Sequence, residues 1–169
     1  MKFRNATPAD LAAIIEMENS CFPPNEAASP ASFSERLRVF PQHFWLLMLD
    51  DEMVGFINGM VSNNSTIIDE MFQNANLHDE AGKWQAVFGL AVSPAHRKRG
   101  YAGQLIKHLI DKAKEQGRLG ITLTCKAYLV GYYQQFGFAD LGISSSVHGG
   151  EVWHDMTLTF NTLAGKNPL

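Results

Sequence analysis

The densest chemistry in this chain lies between Val87 and Gln104, where Leu90-Ala91-Val92-Ser93-Pro94 runs into His96-Arg97-Lys98-Arg99-Gly100-Tyr101-Ala102-Gly103. An apolar run that feeds a basic, glycine-containing turn and then opens a helix is suited to phosphate. The first N–H groups of a helix lack internal partners and carry the positive end of its dipole. Gly100 and Gly103 let backbone approach an anion closely, Ala102 keeps the first turn thin, and Arg97, Lys98 and Arg99 add charge beside it. The expected function of Arg97 to Gly103, with Tyr101 at the helix start, is to cradle a pyrophosphate.

Other phosphate loops are excluded by spacing: neither Gly-x-x-x-x-Gly-Lys-Ser/Thr nor Gly-x-Gly-x-x-Gly occurs. What does occur, Arg97-x-x-Gly100-x-Ala102 preceded by Leu90-Ala91-Val92 and Ser93-Pro94, resembles the acetyl-coenzyme A motif of the GNAT superfamily of N-acetyltransferases. A second segment, Tyr132-Tyr133-Gln134-Gln135-Phe136-Gly137-Phe138, resembles another landmark of that superfamily. With Gly142, Gly149-Gly150, Trp153 and Met156, the pattern over residues 3 to 160 is most similar to the arylalkylamine N-acetyltransferases and their bacterial relatives. The resemblance implies acetyl-CoA as cofactor, a primary amine as acceptor, and a wedge between strands at Leu90 to Val92 and Leu119 to Cys125. It also implies that Tyr133 is the acid that protonates the leaving thiolate.

The reaction makes demands of its own. A neutral amine attacks a thioester, an oxyanion develops and a thiolate departs, so donors are needed at the oxygen and an acid at the sulfur. Backbone N–H groups of Leu90, Ala91 and Val92 are candidates for the first, provided the strand splays. A phenol of pKa about 10 stays protonated at neutral pH and can serve a thiol of about 8.5, which suits Tyr133. Tyr132, about 100° around the same helix, is expected to pack or touch cofactor.

The base is where the resemblance fails. Ala86 and Phe88 stand where the vertebrate arylalkylamine enzymes carry histidines, so no histidine relay carries over. Asp69, Glu70, His78 and His148 are the nearest titratable groups; Glu70 is the first choice, with capping of a short helix at Met71 as its alternative role. Phe88, His148 and Trp153 are expected to line an acceptor pocket. Cys125 would support an acetyl-cysteine route only with a lowered thiol pKa, so direct transfer in a ternary complex is preferred.

These groups need a scaffold, and the pattern supplies an α/β one. Lys2 to Ala6 reads as an edge strand, Thr7-Pro8 and Ser29-Pro30 as two helix starts, and His43 to Leu49 with Met53 to Met60 as a hairpin. Trp84 to Val92 reads as the central strand, followed by an amphipathic helix with Leu105, Ile106, Leu109, Ile110 and Ala113 on one face. A strand at Leu119 to Cys125, a short helix at Tyr128 to Phe136, and strands at Phe138 to Leu141 and Val152 to Phe160 complete a mixed, mostly antiparallel sheet.

The expected unit is one N-acetyltransferase domain over residues 1–169, with its core at 2–160 and a tail at 161–169. A net charge of −3 and a pI near 6.0 give no general attraction to nucleic acid, so the basic cluster reads as a local anion site. Two distant cysteines, Cys21 and Cys125, indicate neither a disulfide framework nor a metal site, and no apolar stretch is long enough to span a membrane. The expected location is cytoplasmic, and a homodimer is compatible with the pattern but not demanded by it. Acetylation of a protein lysine or N-terminal amine, and a non-catalytic acyl-CoA sensor, remain the alternatives to a small-molecule amine acceptor.

Overall fold

The computed structural model describes residues 1–160, so the expected tail at 161–169 lies outside the described residues. The chain begins with β1 (Lys2–Asn5), α1 (Leu11–Cys21), α2 (Pro30–Val39), β2 (Phe44–Leu49), β3 (Glu52–Asn58) and the short β4 (Val61–Ser62). A four-residue α3 (Glu70–Gln73) precedes β5 (Trp84–Val87) and β6 (Gly89–Val92). After α4 (Tyr101–Glu115) come β7 (Gly120–Cys125), α5 (Val130–Gln134), β8 (Ala139–Ile143) and β9 (His154–Thr159). No helix among the described residues is long and apolar enough to cross a membrane.

The single central strand expected at Trp84 to Val92 is two strands, which belong to two sheets. One sheet is antiparallel in the order β1-β2-β3-β6; the other is mixed in the order β4-β5-β7-β9-β8. Up to Val87 the chain pairs in parallel with β7, Val87 lying opposite Leu123. At Phe88 the partner changes: Phe88 N–H donates to Asn58 O at 2.7 Å, and beyond it β6 pairs with β3 alone while β7 continues beside β9. Strands that were neighbours therefore diverge from Phe88 onward, and the gap between β6 and β7 is the wedge that the site occupies.

The fork is held shut at its base by close backbone packing. A Cβ on Gly59 would lie 1.9 Å from Ala86 O, so only glycine permits this approach of the chain leaving β3 to β5. The buried Gln85 side chain donates to Gly59 O at 2.9 Å and to Ala86 O at 2.8 Å, satisfying carbonyls at the branch.

Two cores flank the first sheet, and strand alternation assigns them. Leu47 and Ile57 face the cluster that contains Leu105, Ile106, Leu109 and Ala113 of α4, while their neighbours Leu46 and Phe56 face Ile14, Phe33 and Leu37 of α1 and α2. The sheet is thus sandwiched, with α4 on one face and α1 and α2 on the other. Ser29 caps α2, its Oγ accepting the Ser32 N–H at 3.1 Å, as the Ser29-Pro30 pair predicts.

The segment between β4 and β5 is tied down by Glu80. Its carboxylate meets His43 Nε2 and His78 Nε2 at 2.9 Å each and Arg118 Nη2 at 2.9 Å; burial opposes its ionisation, but the hydrogen bonds and charge of His43, with hydrogen bonds from His78 and Gln42, outweigh this and lower its pKa to about 2. His43, His78 and Glu80 place ligand atoms close together, as in a metal site. However, His78 Nδ1 accepts the Val61 N–H at 3.0 Å, which fixes its proton on Nε2 and points that N–H at Glu80. The cluster is an ion-paired clasp.

Candidate functional site

The turn after β6 folds as its residue types dictate. Lys98 and Gly100 both take left-handed conformations, at φ 63° and 82°, between residues that do not, so successive amides turn toward one side as in an anion-binding nest. A Cβ on Gly100 would meet nothing within 4 Å, so glycine is needed for its conformation. The first bond of α4 from outside the helix runs from Gln104 N–H to Gly100 O at 3.1 Å. Among the described residues, the N–H groups of 97 to 103 have no acceptor within the protein. A diphosphate fits this set of orphaned donors, helix dipole and basic side chains.

The same loop borders a cavity of about 430 Å³ that runs along β6. Its lining includes Leu90, Ala91, Val92, Arg97, Lys98, Gly100, Tyr101 and Ala102, all expected from sequence. Arg99 is exposed and lies outside the lining, and so does Gly103, whose Cβ position stands 3.3 Å from the Phe136 ring; close packing is what Gly103 provides. Cys21, Phe22, His96, Leu129, Tyr132 and Tyr133 complete the walls, with Tyr132 edge-on to both Tyr133 and Phe136.

The phase of the β3–β6 ladder determines what β6 offers to this cavity. Ser93 N–H donates to Val54 O at 2.8 Å, so by alternation Ala91 bonds into β3 while the main-chain groups of Leu90 and Val92 face the wedge. Val92 O shows this orientation directly: it accepts from Cys21 Sγ at 3.4 Å and Arg97 Nε at 3.3 Å instead of from a strand. Two outward amides, at Leu90 and Val92, are therefore presented along the cleft, and the expected contribution of the Ala91 N–H is corrected because its ladder bond consumes it.

Tyr133 stands at the junction of this cavity and a second one of about 310 Å³. Its ring is buried against Phe138 and Tyr132. Its hydroxyl makes no hydrogen bond to the described chain, yet it is not among the sealed, unpartnered polar atoms, so the oxygen reaches the cavities. Burial raises its pKa well above the ordinary phenol value, and the neighbouring Cys125, Tyr132 and Tyr128 add to the shift. Cys125, 3.3 Å from Met156 Sδ, is also pushed up to about 11, mainly by burial, the opposite of the lowered thiol pKa that an acetyl-cysteine route requires.

The second cavity is lined by Phe88, Leu90, Tyr133, His148 and Trp153, so the structure brings together the acceptor-side residues expected from sequence. Phe72 joins them, its ring 5.1 Å from Phe88 and 4.9 Å from His148. A further polar chamber of about 480 Å³ continues from it, between Glu18, Ser29, Ser32, Arg36, Phe88 and His148. Three connections meet at this end: α1–α2, β8–β9 and β7–α5. Asn25 Nδ2 donates to Gly149 O at 2.9 Å, His148 Nε2 lies 2.9 Å from Glu26 O, and Lys126 Nζ pairs with Glu26 at 3.0 Å.

Glu70 is corrected. It lies exposed at the start of α3 and lines none of these cavities, and the short helix turns it outward. Asp69 instead accepts from Ser146 Oγ and from the Val147 N–H at 3.0 Å, tying the β8–β9 loop in place.

The carboxylate that does border the acceptor side is Glu18, which sequence reasoning passed over. Its signal was present: with Leu11 and Ile14 it occupies the inward stripe of α1, where a charge is out of place. Arg36, inward between Phe33 and Leu37 on α2, gave the same signal. It is buried over the Phe33 and Phe88 rings at 5.3 and 5.0 Å and donates to Asn58 Oδ1 and Phe72 O.

Comparison with known proteins agrees with this geometry. Residues 11–138 match the model described as "Acetyltransferase (GNAT) family". Among solved structures, the chain is similar to GphF, a GNAT-like decarboxylase in complex with isobutyryl-CoA, at TM-score 0.80 and 21% identity, over 94% of this chain and 99% of that one. It is also similar to the ribosomal-protein-S18-alanine N-acetyltransferase from Escherichia coli, at TM-score 0.72 and 19% identity over 99% and 98%. Rv2747 from Mycobacterium tuberculosis, in complex with CoA and NLQ, aligns at TM-score 0.68 and 14% identity over 95% and 99%.

Proposed function

We propose, because this chain belongs to the acetyltransferase (GNAT) family and is an acyl-CoA-dependent acyltransferase, that it transfers an acetyl group to a small primary amine directly within a ternary complex. Acetyl-CoA would supply the activated acyl group and a thiol leaving group. The amides of residues 97 to 103, with Arg97 and Lys98, would hold its diphosphate, and the outward groups of Leu90 and Val92 would pair with its pantetheine arm. An N–H at the same strand edge would donate to the oxygen that gains charge in the transition state.

Tyr133 would donate its hydroxyl proton toward the leaving sulfur. Burial keeps the phenol un-ionised, so that a hydrogen-bond donor stands beside the departing thiolate and stabilises its charge, with the final proton of the thiol coming from solvent.

The observation that carries the choice of a small acceptor is the bridge over the acceptor end. The Asn25–Gly149, Glu26–His148 and Glu26–Lys126 contacts draw three connections together beside an aromatic-walled cavity of about 310 Å³, a volume that suits a small amine. Similarity to arylalkylamine enzymes favours aromatic or polyamine-like amines. The test is release of free coenzyme A across a panel of amines and of peptides with free N-termini. Turnover of amines and not of peptides is expected; turnover of peptides alone would overturn the reading. Tyr133→Phe should lower kcat by about a hundredfold with little change in acetyl-CoA binding; unchanged turnover at saturating acceptor would remove Tyr133 from the acid role.

A further inference from the structure

Beneath the fork of the strands lies a second, smaller space. A void of about 10 Å³, the room that one water-sized group needs, sits between the sheet and α4, and its lining is apolar. Val87, Leu90, Leu123 and Tyr133 line both this void and the cavity of about 310 Å³, while Ile106 and Leu109 of α4 close the void from behind. Val87 and Leu123 stand opposite each other as the last ladder pair before the chain changes partner at Phe88. The four shared side chains are thus a floor at the base of the wedge, with slack under it. Protein interiors are close-packed and hold few such spaces, so the slack is a local property of this floor.

Resting on the reading that a thioester occupies this wedge, we infer that Val87 and Leu123 set the length of the acyl group, and that the void beneath them admits one carbon beyond acetyl. The donors are then acetyl-CoA and propionyl-CoA, with butyryl-CoA disfavoured. The chemistry of transfer is the same for each: the carbon–sulfur bond breaks, a carbon–nitrogen bond forms, the nitrogen gives up one proton and the sulfur gains one.

The direction of the acyl chain follows from the geometry of the carbonyl, whose three substituents share a plane. Its oxygen lies toward the outward N–H of Leu90 on β6, and its sulfur lies beside Tyr133, toward the cavity that holds the pantetheine arm. The amine approaches out of that plane, from the side of Phe88 and Trp153. The direction left for the chain is into the fork, onto Val87 and Leu123. An acetyl methyl rests on this floor. A second carbon would overpack a filled interior, but here the floor can give into the void. A third finds the slack used up, because Ile106 and Leu109 behind it are buried in the core.

The experiment compares kcat/KM for acetyl-, propionyl- and butyryl-CoA with one amine acceptor. Wild type should use propionyl-CoA within about threefold of acetyl-CoA and butyryl-CoA at least about tenfold less well, the usual discrimination of an apolar pocket against one methylene. Leu123→Val lowers the floor and should raise the butyryl-to-acetyl ratio by about tenfold, whereas Val87→Ile thickens it and should lower the propionyl-to-acetyl ratio by about tenfold. Ile106→Val enlarges the void from behind without touching either cavity, and should also raise the butyryl-to-acetyl ratio. Each ratio is taken on one sample, so a partly unfolded variant does not alter it. Rejection of propionyl-CoA by wild type, equal use of butyryl-CoA, or ratios that stay at wild-type values in the variants overturns the inference. If no donor acylates any amine, the function proposed above fails by itself. The floor is then judged by calorimetric binding of the three thioesters: weaker binding of butyryl-CoA alone supports the inference, and equal or absent binding overturns it.

Discussion

At the scale of single residues, the site depends on atoms left without partners. Gly100 illustrates this on the cofactor side: its left-handed conformation aims amides outward, and any side chain there would cost about 1–2 kcal/mol in backbone strain or turn the amides away. Gly100→Ala should therefore raise the KM for acetyl-CoA by roughly tenfold, equivalent to about 1.4 kcal/mol, lower the thermal midpoint by a few degrees and leave the acceptor KM nearly unchanged; steady-state kinetics varying each substrate separately would show it. Glu70, by contrast, lies exposed at the start of α3 and lines none of the cavities.

At the scale of elements, three pieces converge on one gap: the split of β5 from β6 at Phe88, the start of α4 and the packing of α5 that presents Tyr133. The fourth contribution comes from irregular chain. The loop between α1 and α2 meets the β8–β9 loop so closely that a Cβ on Gly149, already at φ 64°, would lie 2.7 Å from Asn25 O. Gly149→Val should push the two loops apart, raising the acceptor KM several-fold and leaving the KM for acetyl-CoA alone. A change in both constants would mean that the bridge also orders the cofactor arm. This contact lines the polar chamber and not the cavity beside the basic turn, which is why the two constants should separate.

At the scale of the whole molecule, stability toward acid should follow from two ion-paired carboxylates. Asp10, bonded to Arg4 at 2.8 Å, and Glu80, held by His43, His78 and Arg118, both titrate near 2, below their ordinary values of 3.8 and 4.5. Groups with depressed folded values stabilise the protein above the ordinary pKa and lose that contribution as pH falls through the folded one. The thermal midpoint should therefore drop between about pH 4.5 and pH 2, and Glu80→Gln should flatten that slope; an unchanged slope in the variant would assign the acid sensitivity elsewhere. Local sequence signals were sufficient for the helix starts at Thr7-Pro8 and Ser29-Pro30, the inward face of α4, the basic turn and the Tyr-Tyr segment, because each depends on spacing within a few residues. They could not show that the run from Trp84 to Val92 changes partner at Phe88, since that switch is made by β3 and β7, distant in the chain. Nor could they show that Glu18 is buried beside the cavities while Glu70 lies exposed, since burial is a property of the packed molecule and not of the residue.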